Sequence, residues 1–210
     1  MKAVHCPRIG IIGAGGHGRE VAQTVARVNG ADDRSPRREL AGFFDDNCDD
    51  ARVKRLGFEI LGPCASADLP CLVGIGSGAI RRTFDEVVET APPTIDMSAL
   101  VGDDVTIGPG AVVFANAMIT TNISLGRHVH IGRGASIGHD SVVRDYASVM
   151  PLGSISGGVT IGEAAFIGTG ALIRQGLTIG AGATVGMGAV VLQDVAPGAT
   201  VVGNPARQIG

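Results

Sequence analysis

The chain has no tryptophan, and aromatic residues make up only 3% of its 210 residues. Globular cores normally use aromatic side chains to fill volume, so this composition predicts a narrow core of small aliphatic residues. Basic runs are absent as well. The net charge is −3, and the one arginine cluster, Arg34 with Arg37 and Arg38, lies among acidic residues. Because nucleic-acid binding needs a concentrated positive face, that class is excluded.

Long apolar runs and paired cysteines are also missing. The apolar run at residues 9–12 is too short for a membrane span or for the apolar part of a secretory leader. All the cysteines lie in the first third of the chain without a C-x-x-C pair: Cys6, Cys48, Cys64 and Cys71. We interpret them as reduced thiols and expect a cytoplasmic protein.

Glycine is in excess, with 33 residues, and many of them belong to a repeat that begins at Ala99. Sixteen six-residue steps follow without an insertion. Their third position is always aliphatic, from Val101 to Val191, and their fourth is glycine in nine steps. Three steps would close a triangular coil of 18 residues, with the third side chain on the axis and the glycine forming the corner. The pattern predicts a left-handed parallel β-helix of a little over five coils.

The first 95 residues alternate strand and helix patterns instead. Strands are predicted at residues 8–12, 40–44 and 72–75, with helices after the first and the third. This β-α-β-loop-β-α order is typical of a small Rossmann-like parallel sheet. We therefore predict an α/β domain over residues 1–95 and a β-helix domain with a C-terminal tail over residues 96–210, with Pro92 and Pro93 at the boundary.

A glycine loop, GAGGHG at residues 13–18, joins the first strand to the first helix. Gly13, Gly15 and Gly18 satisfy G-x-G-x-x-G, whose backbone N–H groups at a helix N-terminus suit a diphosphate. Asp45 ends the second strand, where a ribose- or base-binding carboxylate would lie. The short domain favours a nucleoside diphosphate sugar over NAD. A ligand-free turn is the alternative, and the imidazole of His17 argues against it.

Three histidines lie in the repeat. We interpret His128 and His130 as surface residues, because His130 occupies the outward-facing second position of its step. His139 differs, since Asp140 follows it and Gly157 lies one coil of 18 residues further on. The reaction of an amine with a thioester would need such a base, a carboxylate beside it and a slot without side chains.

Five motifs together resemble one family. GAGGHG, FFDD, GIGSGAIRR, GHD within the hexapeptide repeat and VGNPA near the end resemble the NeuD/PglD family of bacterial sugar acetyltransferases. The resemblance covers nearly the whole chain. It implies an acetyl-CoA-dependent N-acetyltransferase that acts on a UDP-linked amino sugar in surface-glycan or nonulosonic acid biosynthesis, with no metal.

The resemblance also implies roles for individual residues. Those expected to bind the nucleotide sugar are Gly15, Gly16 and His17 at the diphosphate, Asp45 and Asp46 at the uracil or ribose, and Gly76 in the same pocket. His139 would be the general base, oriented by Asp140. Four corner positions would flank acetyl-CoA in a groove between subunits: Ser148, Gly157, Thr169 and Met187. Some relatives carry histidine where this chain has Ser148, and asparagine where it has Gly132.

The expected chemistry is direct attack of the amine on the thioester, because the repeat contains no cysteine. The close alternative is O-acetylation of a sugar or sialic acid by the same groups. A zinc enzyme like the γ-type carbonic anhydrases needs a His-x₄-His pair, which these histidine spacings do not give. A non-catalytic NAD- or nucleotide-sensing scaffold is a further alternative. Sugar nucleotidyltransferases, which also carry hexapeptide repeats, begin with a longer glycine-rich loop that contains arginine and lysine, and this sequence lacks that loop.

The repeat finally predicts an assembly. A triangular β-helix has flat faces, and apolar residues at outward-facing second positions would expose an apolar surface that another subunit could cover. These residues are Val112, Met118, Val142 and Val190. Because cyclic three-fold packing closes such faces, we expect a homotrimer.

Overall fold

The computed structural model describes residues 7–30, 38–47 and 50–209. Cys6, Cys48, Arg34 and Arg37 lie outside these residues, so their interpretation stays a prediction. The other two cysteines, Cys64 and Cys71, are buried free thiols. Burial raises the pKa of Cys64 to about 11 and that of Cys71 to about 12, which leaves both thiols unreactive.

The elements of the N-terminal domain are β1 (Arg8–Ile12), α1 (Gly16–Gly30), β2 (Glu39–Phe44), α2 (Asp50–Lys54), β3 (Ile60–Gly62), a short 3₁₀ turn (Cys64–Ser66), β4 (Cys71–Val73) and α3 (Gly78–Asp85). The four strands form one parallel sheet in the order β3-β2-β1-β4. The three predicted strands and two predicted helices are present. Helix α2 and strand β3 fall in the segment predicted as a loop, because both are short and weakly patterned.

The second domain is a parallel β-helix whose short strands form three faces. The first face contains β5 (Thr94–Ile95), β8 (Val112–Val113), β11 (His130–Ile131), β14 (Ser148–Val149), β17 (Phe166–Ile167), β20 (Thr184–Val185) and β22 (Thr200–Val202), and β23 (Arg207–Ile209) pairs antiparallel at its end. The second face contains β6 (Leu100–Val101), β9 (Met118–Ile119), β12 (Ser136–Ile137), β15 (Ser154–Ile155), β18 (Leu172–Ile173) and β21 (Val190–Val191). The third face contains β7 (Val105–Ile107), β10 (Ile123–Leu125), β13 (Val142–Val143), β16 (Thr160–Ile161) and β19 (Thr178–Ile179).

The register confirms the coil length of 18 residues. His130 pairs with Val112 on one side and with Ser148 on the other. The β-helix begins at Thr94, which pairs with Val112, slightly before the predicted start. The last coil is two residues shorter, since Thr184 pairs with Thr200.

The aliphatic column on the axis is also confirmed. Third-position residues such as Ile137, Ile155 and Ile173 are almost fully buried and belong to one core cluster that runs along the β-helix. First-position residues, many of them alanine, fill the space between them. The core is narrow, and it needs no large aromatic side chains because each coil supplies its own aliphatic layer.

The corners depend on a different position from the one predicted. In every step but the last, the residue with positive φ is the sixth, from Asp104 with φ 57° to Gly188 with φ 67°. The fourth-position glycines have another role, because the next coil approaches them closely. A Cβ added to Gly138 would lie 2.6 Å from the backbone nitrogen of Gly157. The prediction that the fourth-position glycine supplies the backbone geometry of the corner was therefore wrong.

The N-terminal domain packs on the first face of the β-helix. Val112 and Phe114 are buried in the same core cluster as Ile9 and Val21 of the α/β domain. The prediction of Val112 as exposed apolar surface was wrong for this reason. Met118 lies on the second face and is 47% exposed, as predicted for an uncovered second position.

Candidate active site

The glycines of the loop after β1 divide into two roles. Gly13 has φ +88°, and a Cβ on Gly18 would lie 1.8 Å from the carbonyl oxygen of Gly13, so both positions need glycine for the backbone to turn. A Cβ on Gly15 or Gly16 would meet nothing within 4 Å. These two glycines therefore leave an open cradle at the first turn of α1, whose N–H groups favour an anion.

Two carboxylates and Gly76 lie around this loop at the carboxyl ends of the strands. Asp45 accepts a hydrogen bond from the backbone nitrogen of Ala14 at 2.7 Å, which ties the loop to the end of β2. Asp46 accepts one from the backbone nitrogen of Cys64 at 2.9 Å. A Cβ on Gly76 would also meet open space. The sequence-predicted nucleotide residues therefore lie at the sheet edge where ligands of such domains bind.

The side chain of His17 contacts the β-helix. Its Nε2 lies 2.8 Å from Nδ1 of His130, and its ring centroid lies 5.4 Å from that of Phe114. The predicted contact between this imidazole and a diphosphate is therefore not the contact that the structure shows. The backbone N–H of His17 remains in the first turn of α1.

The surface interpretation of the other two histidines was wrong. His128 is 0% exposed and His130 2% exposed, because the N-terminal domain covers the first face, where His130 lies, and the corner before it, where His128 lies. His128 lies with Nε2 at 3.0 Å from a carboxylate oxygen of Asp85, at the end of α3. The residue type at the second position of a step does not indicate whether another domain will cover it.

Asp85 is the centre of a hydrogen-bond cluster that no sequence motif predicted. It accepts hydrogen bonds from Arg127 at 3.0 Å, from the Thr90 hydroxyl at 2.6 Å and from the Tyr146 hydroxyl at 2.7 Å. Burial opposes ionisation of this carboxyl, but the three donors outweigh it and hold the pKa of Asp85 well below its ordinary range. The cluster joins α3 to two coils of the β-helix.

Arg81 makes a second junction between the domains. It is 0% exposed, and its guanidinium donates to the carbonyl oxygens of Gly76 and His128 at 2.9 Å each. It also donates to Oγ of Ser148 at 2.9 Å. Burial lowers the pKa of Arg81 to about 9. The arginine pair in GIGSGAIRR was the available sequence signal for this contact.

Ser148 begins β14 on the first face and is 2% exposed. Its hydroxyl accepts from Arg81 and donates to the carbonyl oxygen of Gly76 at 3.2 Å. The prediction that Ser148 lies at a corner facing acetyl-CoA was therefore wrong, because the N-terminal domain covers this position.

His139 and Asp140 form a paired base and carboxylate at the corner between the second and third faces. Nδ1 of His139 lies 2.6 Å from a carboxylate oxygen of Asp140. The other oxygen accepts from the Asn122 side chain at 2.6 Å. Hydrogen bonds from His139 and then from Asn122 lower the pKa of Asp140. An ionised partner fixes the proton on Nδ1, which leaves the Nε2 lone pair of His139 as a base.

The imidazole of His139 lies over Gly157, as the 18-residue spacing predicted. A Cβ on Gly157 would lie 2.6 Å from Nε2 of His139, so any larger residue at this position would displace the imidazole ring. The His139 side chain is 65% exposed. The ring borders an open groove whose lining residues are His139, Asp140, Gly157, Gly158, Gln175 and Gly176.

Thr169 and Met187 lie on a different corner, between the first and second faces. Both are exposed, and Met187 is 81% exposed. Within one chain, the structure does not bring these two residues together with His139. They fit the predicted acetyl-CoA groove only if it forms between two subunits.

Within the described residues no three histidine, cysteine, aspartate or glutamate side chains are grouped so that they could hold a metal ion. Among the same residues, no helix has the length and apolar character of a membrane span.

A parallel β-helix of hexapeptide steps with a histidine–carboxylate pair over a side-chain-free corner defines the class of hexapeptide-repeat acyltransferases. Residues 8–88 match the family model of the PglD N-terminal domain. The acetyltransferase domain of PglB from Neisseria gonorrhoeae, solved with acetyl coenzyme A, is 33% identical with a TM-score of 0.87, covering 97% of this chain and 100% of that one. A comparison with curated protein sequences finds no match.

Two more solved structures are similar over almost their full length. PerB from Caulobacter crescentus, in complex with CoA and GDP-perosamine, is 30% identical with a TM-score of 0.84, over 96% of this chain and 97% of that one. WeeI from Acinetobacter baumannii is 30% identical with a TM-score of 0.79, over 96% and 99%. The chain belongs to the NeuD/PglD-like family of sugar acetyltransferases.

Proposed function

We propose that the protein transfers the acetyl group of acetyl-CoA to the amine of a nucleotide-linked amino sugar. The observation that carries the proposal is the His139–Asp140 pair, 2.6 Å apart, over the side-chain-free corner at Gly157. The open cradle at Gly15 and Gly16 gives the nucleotide a place to bind. Relatives solved with acetyl coenzyme A, and with CoA and GDP-perosamine, support both substrates. Since both substrates are cytoplasmic metabolites, the proposal places the enzyme in the cytoplasm.

The amine attacks the thioester carbonyl directly. Nε2 of His139 accepts the proton that the amine loses as the amide bond forms and the carbon–sulfur bond breaks. That proton then passes to the departing CoA thiolate. Asp140 holds Nδ1–H and stabilises the imidazolium. The N–H of Gly158 already donates to the His139 carbonyl at 2.7 Å, so the N–H of Gly157 is the candidate donor to the oxyanion.

We propose UDP as the nucleotide of the substrate. The diphosphate meets the cradle at Gly15 and Gly16, and the base or ribose lies near Asp45 and Asp46. The GDP sugar bound by PerB makes GDP the comparison nucleotide in every binding experiment. A turnover screen with UDP- and GDP-linked amino sugars, and with hydroxyl-bearing sugars and sialic acids, separates N-acetylation from O-acetylation.

A nucleotide-binding prediction follows from the open cradle. UDP should raise the melting temperature of the protein by ligand linkage, and NAD should not. Gly15→Asp should abolish the stabilisation, because it places a negative charge in the cradle. Its ligand-free melting temperature should stay close to wild type, since a Cβ there meets no atom within 4 Å. Stabilisation by NAD alone would instead support the nucleotide-sensing scaffold.

We also propose a homotrimer whose subunits meet along the second face. This face carries exposed apolar residues at second positions, among them Leu100 at 63%, Met118 at 47% and Leu172 at 47%. Three-fold packing brings the His139 corner of one subunit toward the Thr169 and Met187 corner of another, and the acetyl-CoA groove lies between them.

Sedimentation velocity at micromolar concentration checks this assembly, and a trimer is expected. Met118→Glu should shift the equilibrium toward monomers, because it places a charge in the apolar face. A wild-type monomer under these conditions would reject the trimer and the shared acetyl-CoA groove with it.

A further inference from the structure

One side of α1 carries polar side chains at helical spacing, and these dock the helix on the β-helix. Residues 17, 20 and 27 recur after three and seven positions and so lie on one face. Each has a partner in the β-helix domain: His17 with His130 at 2.8 Å, Glu20 with Arg133 at 2.5 Å, and Arg27 with Asp96 at 2.6 Å. The His17 contact lies nearest the glycine loop.

His130 is buried with one ring nitrogen unused. It is 2% exposed on the strand ladder between Val112 and Ser148. Its Nδ1 meets His17, whereas its Nε2 has no hydrogen-bond partner among the described residues. Burial lowers the pKa of His17 and lowers that of His130 well below its ordinary value. Both rings are therefore neutral, and one proton is shared across the 2.8 Å contact.

The orphaned nitrogen decides which histidine donates. A proton on Nε2 of His130 would leave a buried N–H without an acceptor, which costs more than a bare lone pair. With the proton on Nδ1, His130 donates to Nε2 of His17. His17 then carries its own proton on Nδ1, which lies 3.9 Å from a carboxylate oxygen of Glu20. In this arrangement the proton of His130 points to Nε2 of His17, and the proton of His17 points toward the Glu20 carboxylate.

Burial is the main cause that keeps the pair neutral, and the positive charges around it act in the same direction. Glu20 of α1 is the one carboxylate among the described residues that acts on the pair, and it is itself paired with Arg133 at the corner after β11. Arg81 of α3 acts on both imidazoles, and His128 of the preceding corner acts on His130. A proton added to either ring would be repelled by the positive charge of Arg81. If it were added to Nε2 of His17, it would also remove the acceptor of the hydrogen bond from His130.

We propose that His130 is a positioning residue, whose Nδ1–H holds His17 and thereby fixes the glycine loop in the geometry that receives the nucleotide's diphosphate. The inference rests on the proposed function, because it names what holds the diphosphate cradle. The mechanical link is short, since His17 is the second residue of α1 and directly follows Gly16 of the cradle. It also gives the imidazole in the loop a role that needs no contact with phosphate.

Two substitutions of His130 separate positioning from packing. His130→Asn keeps a donor close to the place of Nδ1, whereas His130→Val fills the buried site without one. Calorimetry should show UDP binding weakened roughly three- to tenfold in the valine variant, the worth of one hydrogen bond. The asparagine variant should stay within about twofold of wild type by the same measure. In turnover, KM for the nucleotide sugar should follow these changes while KM for acetyl-CoA stays constant.

Arg27→Met is the matched control, because it breaks another α1 contact ten residues from His17. Its UDP affinity should equal wild type. The proposal is overturned if the valine variant binds UDP as tightly as wild type, if asparagine fails to rescue, or if Arg27→Met weakens binding as much as His130→Val. It is also overturned if the wild-type protein binds neither UDP nor GDP. Normal nucleotide binding with no acetyl transfer would contradict the proposed function alone.

A spectroscopic measurement tests the proton's place without a substitution. Two-bond ¹H–¹⁵N correlation spectra at neutral pH distinguish the two imidazole tautomers. We expect both His130 and His17 as the Nδ1–H form. A proton on Nε2 of His130 would contradict the proposed direction of donation.

Discussion

Replacing His139 with alanine should lower kcat by roughly 10²–10⁴, the usual contribution of a positioned general base. Among the described residues that line the groove, His139 alone carries a ring, and its Nε2 lies toward Gly157. KM for acetyl-CoA should change little, because the base acts on the amine. Steady-state acetyl transfer with both substrates saturating measures the loss.

Asp140→Asn tests the partner of this base. It should give a smaller loss than His139→Ala, because asparagine can still accept from Nδ1 but does not stabilise the imidazolium. The double variant should cost little more than His139→Ala alone, since Asp140 acts through the histidine. Near-full activity of His139→Ala in an intact assembly would place the base elsewhere. His17 is a poor replacement, because its Nε2 is already bonded to His130.

The largest expected effect on stability belongs to Asp85→Asn. At pH 7 it should lower the free energy of unfolding by about 2–4 kcal/mol, because the amide has no charge and only one of the two acceptor oxygens that bind Arg127, Thr90 and Tyr146. Chemical denaturation at one fixed protein concentration measures it, since the proposed trimer would make stability depend on concentration.

The effect of Asp85→Asn should depend on pH in a defined direction. The pKa of Asp85 is lower in the folded state than its ordinary value, so its contribution is present above about pH 4 and is lost as pH falls further. The difference between wild type and variant should therefore shrink at pH 3. The matched control is Glu163→Gln, which breaks the exposed pair with Arg82 and should change stability by less than about 0.5 kcal/mol. An equal loss in both variants would contradict this account.

The repeat made the β-helix and the position of the His139 corner predictable. A period of six residues turns sequence distance into spatial distance, so the sequence alone could place His139 over Gly157. The glycine loop was predictable for a similar reason, because only glycine satisfies the close approach of Gly18 to Gly13. Both features follow from local backbone geometry, which the sequence determines without any knowledge of how the domains pack.

The contacts between the domains could not be predicted from such rules. His130 and Ser148 occupy second positions like many exposed residues, and only the docking of the N-terminal domain buries them. The corner geometry was assigned to the wrong position, because a frequent glycine suggests a turn as readily as it suggests a close backbone approach. The spacing of His17, Glu20 and Arg27 was a readable signal for the docking side of α1.

The most direct test of the central claim is mass spectrometry of a UDP-linked amino sugar incubated with the wild-type protein and acetyl-CoA. The account predicts that the nucleotide sugar gains one acetyl group on nitrogen, that free CoA appears in equal amount, and that His139→Ala forms almost none of either. The absence of acetylated product across UDP- and GDP-linked amino sugars, with a protein that binds the nucleotide, would contradict it.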